Sequence, residues 1–125
     1  MNNQTLVNAN LSEKIIGCCF EVMNELGVGF LEKVYHSALM IILRQEGLQS
    51  ESEVPIDVYF RGENVGKYFA DVIVENRLLL ELKCCKEIIP IHQAQLINYL
   101  KATKIKTGLV INFGNPNVEF KRAYI

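Results

Sequence analysis

Three ionisable side chains lie inside the most apolar stretches of this chain. Asp71 interrupts Tyr68-Phe69-Ala70-Asp71-Val72-Ile73-Val74, and Glu81 and Lys83 sit in Leu78-Leu79-Leu80-Glu81-Leu82-Lys83. Both runs read as buried strands, where an ionised group is costly unless it is paired or bound to a metal. Glu81 and Lys83 are two apart and share one face of their strand, with Leu80 and Leu82 on the other. Whether Asp71 joins them depends on the turn between the strands. A two-residue loop, Glu75-Asn76, pairs Val74 with Arg77 and Asp71 with Leu80, which puts the aspartate on the wrong face. A three-residue loop, Glu75-Asn76-Arg77, pairs Val74 with Leu78 and Asp71 with Glu81. Asn76 or Arg77 then takes a left-handed position, and Asn76 suits it better. A β-bulge near Asp71 has the same effect. Convergence of the three groups therefore requires an odd loop or a bulge.

The rest of the chain supplies a frame for these strands. Residues 11–26 carry Leu11, Ile15, Cys18, Cys19, Val22, Met23 and Leu26 at helical spacing, with Asn10 or Ser12 as a cap and Gly27 as a stop. A second helix is expected over residues 31–46, with Leu31, Val34, Tyr35, Ala38, Leu39, Ile42 and Leu43 on its buried stripe. From Glu53 the period becomes two: Ile56, Val58 and Phe60 alternate with Asp57 and Tyr59, and Pro55 marks an edge or a strand entry. Residues 61–64 turn into a strand over 65–74, and 78–85 form a central strand. Pro90 opens a helix to about Thr103. Residues 107–113 form a buried strand, and 118–125 form a last strand at an edge. The order is ααβββαββ, an α/β (mixed α+β) domain over residues 11–125 preceded by a polar segment, 1–10.

Two carboxylates and a backbone carbonyl, Asp71, Glu81 and Leu82, form a set of hard oxygens that Mg²⁺ or Mn²⁺ accepts. An adjacent lysine can orient a water and offset charge on a phosphate. The alternative is a buried structural triad in which Lys83 neutralises both acids. The pattern Asp71…Glu81-Leu82-Lys83 resembles the signature of the PD-(D/E)xK nuclease superfamily. Gly29-Phe30-Leu31-Glu32-Lys33-Val34-Tyr35 is similar to the motif of its GxxExxY branch. The likeness extends over Val110-Ile111-Asn112-Phe113-Gly114 and Glu119-Phe120-Lys121-Arg122. Ala70 stands where the superfamily name has proline. The resemblance implies a restriction-endonuclease-like core, a central mixed sheet flanked by helices. It also implies a metal site at Asp71, Glu81 and the Leu82 carbonyl, joined by Glu32, with water activated by Mg²⁺ and Lys83. Gln95 and Tyr99 match an accessory Gln-xxx-Tyr motif, and at i and i+4 they share a helix face. The implied function is hydrolysis of phosphodiester bonds in DNA or RNA. The competing reading is a non-catalytic nucleic-acid-binding or assembly protein on the same scaffold, and the small size suits a homodimer or a partner-dependent subunit.

Composition narrows the classes further. Half of the residues are hydrophobic and 22% are charged, which excludes disorder. No apolar run reaches the ~18 residues that span a bilayer, and no signal-peptide pattern opens the chain, so a cytoplasmic protein is expected. The cysteines form adjacent pairs, Cys18-Cys19 and Cys84-Cys85, unlike spaced metal ligands, and read as buried reduced thiols. Net charge is −1, but residues 1–66 carry four Lys/Arg against nine Asp/Glu and residues 67–125 carry nine against five. Lys86, Lys101, Lys104 and Lys106 in the basic half are candidates for contact with a nucleic-acid backbone. His92, near a helix start, is a weaker candidate for phosphate, and His36 has no partner at metal-ligand spacing.

Overall fold

Hydrophobic periodicity changes from helical to alternating at about residue 50, and the chain folds accordingly. The computed structural model describes residues 3–125. Its elements are α1 (Asn3–Leu26), α2 (Glu32–Gln45), β1 (Ser50–Phe60), β2 (Glu63–Val74), β3 (Leu78–Lys83), α3 (Pro90–Thr103), β4 (Thr107–Asn112) and β5 (Glu119–Tyr124). The expected order ααβββαββ holds. One five-stranded sheet runs in the order β1-β2-β3-β4-β5. Neighbours are antiparallel except β3 and β4, whose parallel pairing requires the crossover that α3 provides.

The sheet separates two cores. Leu78, Leu80 and Leu82 face α1 and α2, packing with Ile15, Cys19, Tyr35, Leu39 and Leu43. Leu79 and Val110 face α3 and meet Leu96, Tyr99 and Leu100. β3 is the middle strand and is buried from Leu78 to Leu82, and every residue of β4 is buried. Pro55 lies in β1, an edge strand, as its missing N–H predicts. β5 forms the other edge.

Several boundaries differ from expectation for identifiable reasons. α1 starts at Asn3 rather than Leu11, so Asn10 and Ser12 lie within the helix and do not cap it. The buried stripe continues N-terminally through polar residues, which hydropathy misses. Asn8 Nδ2 donates to Thr107 Oγ1 at 3.2 Å, and Arg122 Nε donates to Ser12 Oγ at 3.3 Å. Met1 and Asn2, the start of the segment expected to be separate, lie outside the described residues. Leu31 is the N-cap of α2 and is 68% exposed instead of buried. The β1–β2 hairpin closes on two residues, Arg61 and Gly62, both left-handed (φ 50° and 82°). Phe60 is exposed beside this turn. β3 ends at Lys83 rather than at residue 85, so Cys84 is exposed and Cys85 half-buried, whereas Cys18 and Cys19 are buried. No helix among the described residues is long and apolar enough to cross a membrane.

Candidate active site

The turn after β2 sets the register on which the site depends. Val74 pairs with Leu78, and Arg77 N donates to Val74 O at 3.0 Å, closing the three-residue loop. Asn76 is left-handed (φ 53°) as expected, and Glu75 is left-handed as well (φ 54°). Glu75 is held there by Gln49: Glu75 N donates to Gln49 O at 2.7 Å, and Gln49 N donates to Glu75 Oε2 at 2.8 Å. Val72 with Leu80 is the last pair between β2 and β3, so Asp71 and Glu81 stand opposite each other where the strands part.

At this fork the carboxylates replace the backbone ladder. Asp71 N donates to Glu81 Oε2 at 3.1 Å, and Leu82 N donates to Asp71 Oδ2 at 2.7 Å. The aspartate therefore turns toward the glutamate, not away from it. An irregularity on the other side of β2 accompanies this arrangement. Ser52 pairs with Val72 and Val54 with Ala70, but Glu53 between them has φ 51°, opposite Asp71. Val72 packs with α1 and α2, whereas Ala70 and Ile56 pack with α3. The hairpin changes face at Glu53 and Asp71, so both the odd loop and a strand irregularity are present. In an extended strand the N–H and C=O of one residue point to the same edge. Leu82 N–H faces Asp71, so its carbonyl faces the same gap.

Negative charge at this point is only partly compensated. Glu81 is 6% exposed. Burial, then the adjacent Asp71 carboxylate, push its pKa up to about 9, with Lys83 acting weakly in the other direction. Lys83 is half-buried and forms no ion pair within 4.0 Å; Lys14–Glu46, at 3.9 Å, is the one such pair among the described residues. The neutralised triad weighed from sequence does not form. Glu32 is the first residue of α2, and its carboxyl is shifted upward by burial and by the Asp71 charge, opposed by Lys83 and His36. It lies within the electrostatic reach of the site. It is not a third close ligand, however: no group of three His, Cys, Asp or Glu among the described residues could by itself hold an ion. The oxygens of Asp71 and Glu81, the Leu82 carbonyl and their unbalanced charge fit a hard divalent cation whose shell is completed by water or phosphate.

A tight loop presents Glu32. Gly29 has φ 108°, a conformation that side chains rarely adopt. Tyr35 Oη donates to Gly27 O at 2.6 Å and accepts from Phe30 N at 3.2 Å, and its ring stacks on Phe113 at 5.0 Å. The hydroxyl thus pins the loop between the helices. Cys84 Sγ donates to Phe30 O at 3.4 Å, tying the loop to the residue that follows Lys83.

Helix α3 covers the opposite side. Gln95 Nε2 donates to Tyr99 Oη at 3.0 Å. The pKa of the Tyr99 hydroxyl is pushed upward by burial and then by the Glu81 charge, so it lies within the electrostatic reach of the carboxylates. Of the four lysines, Lys86 follows β3 at the site end. Lys104 ends α3, and Lys106 precedes Thr107, which pairs with Leu78. Five residues of strand, about 16 Å, separate that end from Lys83. Lys104 and Lys106 are therefore not at the site, because α3 carries the chain back before β4 starts. Lys101 lies in the last turn of α3. His92 Nδ1 accepts from Ile89 N at 3.1 Å and so caps its own helix, and His36 Nε2 lies 2.8 Å from Ser52 Oγ.

Sequence reasoning did not single out Asn112 as a supporting residue. It is fully buried, accepts from Cys85 N (2.9 Å) and Gly114 N (3.0 Å), and donates to Cys85 O (2.9 Å) and Glu119 Oε1 (3.1 Å). Glu119 Oε1 also accepts from Ile88 N at 2.9 Å, so the loop after Lys83 is held at both ends. A Cβ on Gly114 would overlap the Cys85 carbonyl, so no larger residue fits there. The signal was the same as for Asp71: a polar side chain inside an apolar strand run.

Comparison with known proteins agrees with this geometry. The crystal structure of SSO0001 superposes with a TM-score of 0.59 at 19% identity, over 74% of this chain and 48% of that one. This chain spans about half the length of that protein, and the likeness concerns the fold, which is restriction-endonuclease-like. A search of curated proteins returned no match. The family model of the PD-(D/E)XK nuclease superfamily matches residues 9–123. That match takes in both helical layers, the sheet and the Asp71–Glu81 fork, and the chain belongs to the PD-(D/E)XK nuclease superfamily.

Proposed function

We propose that this protein is a metal-dependent nuclease of the GxxExxY branch, hydrolysing phosphodiester bonds in DNA or RNA. The observation that carries this reading is the fork. Two carboxylates from strands that part at Asp71 and Glu81 face each other beside the Leu82 carbonyl, with no cationic side chain among the described residues within ion-pair distance of either. Asp71, Glu81 and the Leu82 carbonyl would hold Mg²⁺ or Mn²⁺, which when bound supplies a Lewis acid for the phosphate and lowers the pKa of water. Burial and the Asp71 charge both disfavour an ionised Glu81, so cation binding at the pair is expected to release protons. The Lys83 ammonium, two residues from Glu81 on the same strand face, orients the attacking water and offsets charge developing on the phosphate. Gln95 and Tyr99, already bonded to each other, offer an amide and a hydroxyl to a phosphate oxygen or water. Glu32, in the field of Asp71 and Lys83, completes the ring of acids through water. In-line attack of the Lys83-oriented water on phosphorus would break the P–O3′ bond, leaving a 5′-phosphate on one fragment and a 3′-hydroxyl, protonated from solvent, on the other.

The test is cleavage of single- and double-stranded DNA and RNA with Mn²⁺ or Mg²⁺. Wild type is expected to cut at least one form, chelator to stop it, and Glu81→Ala or Lys83→Ala to lose at least about 100-fold. No cutting of any form, with salt-dependent binding that survives both substitutions, would leave a non-catalytic nucleic-acid-binding protein on this scaffold.

A further inference from the structure

The β1–β2 hairpin is much longer than the sheet needs. β2 pairs with β3 only through residues 72–74, yet its pairing with β1 continues to the turn at Arg61-Gly62. The unsupported part forms an arm beyond the fork, with α3 facing it. Between arm and helix runs a groove of about 710 Å³, walled by Tyr59, Tyr68, Tyr99 and Ile91, with Gln95 and Lys101 also in its lining. Tyr68 and Tyr99 lie 5.7 Å apart at a tilt of 47°. Tyr59 is 63% and Tyr68 47% exposed. Asp71, Glu81 and Lys83 do not line the groove, but Tyr99 and Gln95, which do, are bonded to each other at the end of it where the Glu81 and Asp71 charges are felt.

Resting on the nuclease reading, we infer that this groove binds the unstacked bases of a single-stranded nucleic acid beside the scissile phosphate. Aromatic walls match base faces, which a single strand exposes and a duplex keeps stacked on one another. Charge in the lining is balanced, Asp57 against Lys101, so the groove is poorly suited to tracking a phosphate backbone. A strand seated here presents its phosphates toward the fork and its bases toward Tyr59 and Tyr68.

Fluorescence anisotropy without divalent ions tests this on the full chain with a single-stranded DNA, its RNA counterpart and the corresponding blunt duplex. Tyr59→Ala, at an exposed position, is expected to keep the wild-type Tm and to weaken single-strand binding about 5- to 100-fold, in DNA, RNA or both. The slope of log K against log salt stays unchanged and duplex binding is unaffected. Tyr59→Trp restores single-strand affinity, and Tyr68→Ala repeats the loss. An equal loss on the duplex, a loss confined to the salt slope, or no loss in Tyr59→Ala and Tyr68→Ala would overturn the inference. Cleavage assays on the same proteins with Mn²⁺ separate the two readings. Cutting without any stacking effect removes the groove alone, and a stacking effect without cutting removes the nuclease reading alone.

Discussion

Glu81 takes up a proton more readily in the folded chain than in the unfolded one, where glutamate titrates near 4.3. Its contribution to stability is therefore complete below that value and is lost as pH rises through about 9. Without divalent ions, Tm is expected to fall over this window. Glu81→Gln removes the ionisation, flattens that profile and raises Tm at pH 8 by several degrees, each kcal/mol corresponding to roughly 3–6 °C in a chain of this size. Millimolar Mn²⁺ is expected to reverse the loss in wild type, by about 2.7 kcal/mol at a hundred times Kd, and to do nothing for Asp71→Asn. Differential scanning calorimetry across pH reads all three outcomes. The strained partner of Asp71 gives a second test at this scale. Glu53 has a left-handed backbone, which costs a side-chain-bearing residue about 1–2 kcal/mol. Glu53→Gly is expected to be neutral or stabilising with cation affinity intact. Glu53→Val is expected to lose at least about 1 kcal/mol in urea titration and to weaken cation binding, because the change of face at Asp71 depends on that kink.

At the level of the elements, the α1–α2 connection is positioned by one hydroxyl. Tyr35→Phe keeps the ring on Phe113 but leaves Gly27 O and Phe30 N without their partner. A loss of about 1–3 kcal/mol is expected. Activity is expected to fall mainly in kcat, as Glu32 moves relative to Lys83, and steady-state kinetics on a variant still folded at 25 °C checks it. Much of this was legible in the residues. Element order followed from period, Gly and Pro, and the Asp71–Glu81 pairing followed once the loop was given three residues. What sequence did not reveal came from long-range partners. Asn8 looks like part of a polar leading segment and Ser12 like a cap because hydropathy cannot see their partners Thr107 and Arg122, to which both bond from within α1. Leu31 fits a helical stripe but becomes a cap, since the sharp loop at Gly29 sets where α2 begins. Lys104 and Lys106 are near Lys83 in the basic run but not in space, because a parallel crossover returns the chain to the far end of the sheet. The aromatic arm was hidden too, for Tyr59 and Tyr68 look like ordinary strand residues until β3 is seen to pair with so little of β2.

Across the whole molecule, contacts divide into local hairpins and pairings that span the chain. The β1–β2 and β2–β3 hairpins close over short loops, whereas β3–β4 awaits the α3 crossover and α1 must find β4 and β5 from the other end of the sequence. Because short loops cost least entropy to close, the hairpins are expected to form the nucleus. Val72→Ala is then expected to slow folding, while Arg122→Ala mainly speeds unfolding, and chevron plots distinguish the two. The short sequence separation of Asp71 and Glu81, ten positions, carries a kinetic consequence. These like charges are driven together at the earliest step, before any cation-binding pocket exists, so the repulsion that later attracts an ion first acts as a brake on the nucleus. Refolding of the wild-type chain is expected to accelerate as the solution is acidified from pH 9 toward pH 5, and Glu81→Gln is expected to fold at the faster rate throughout.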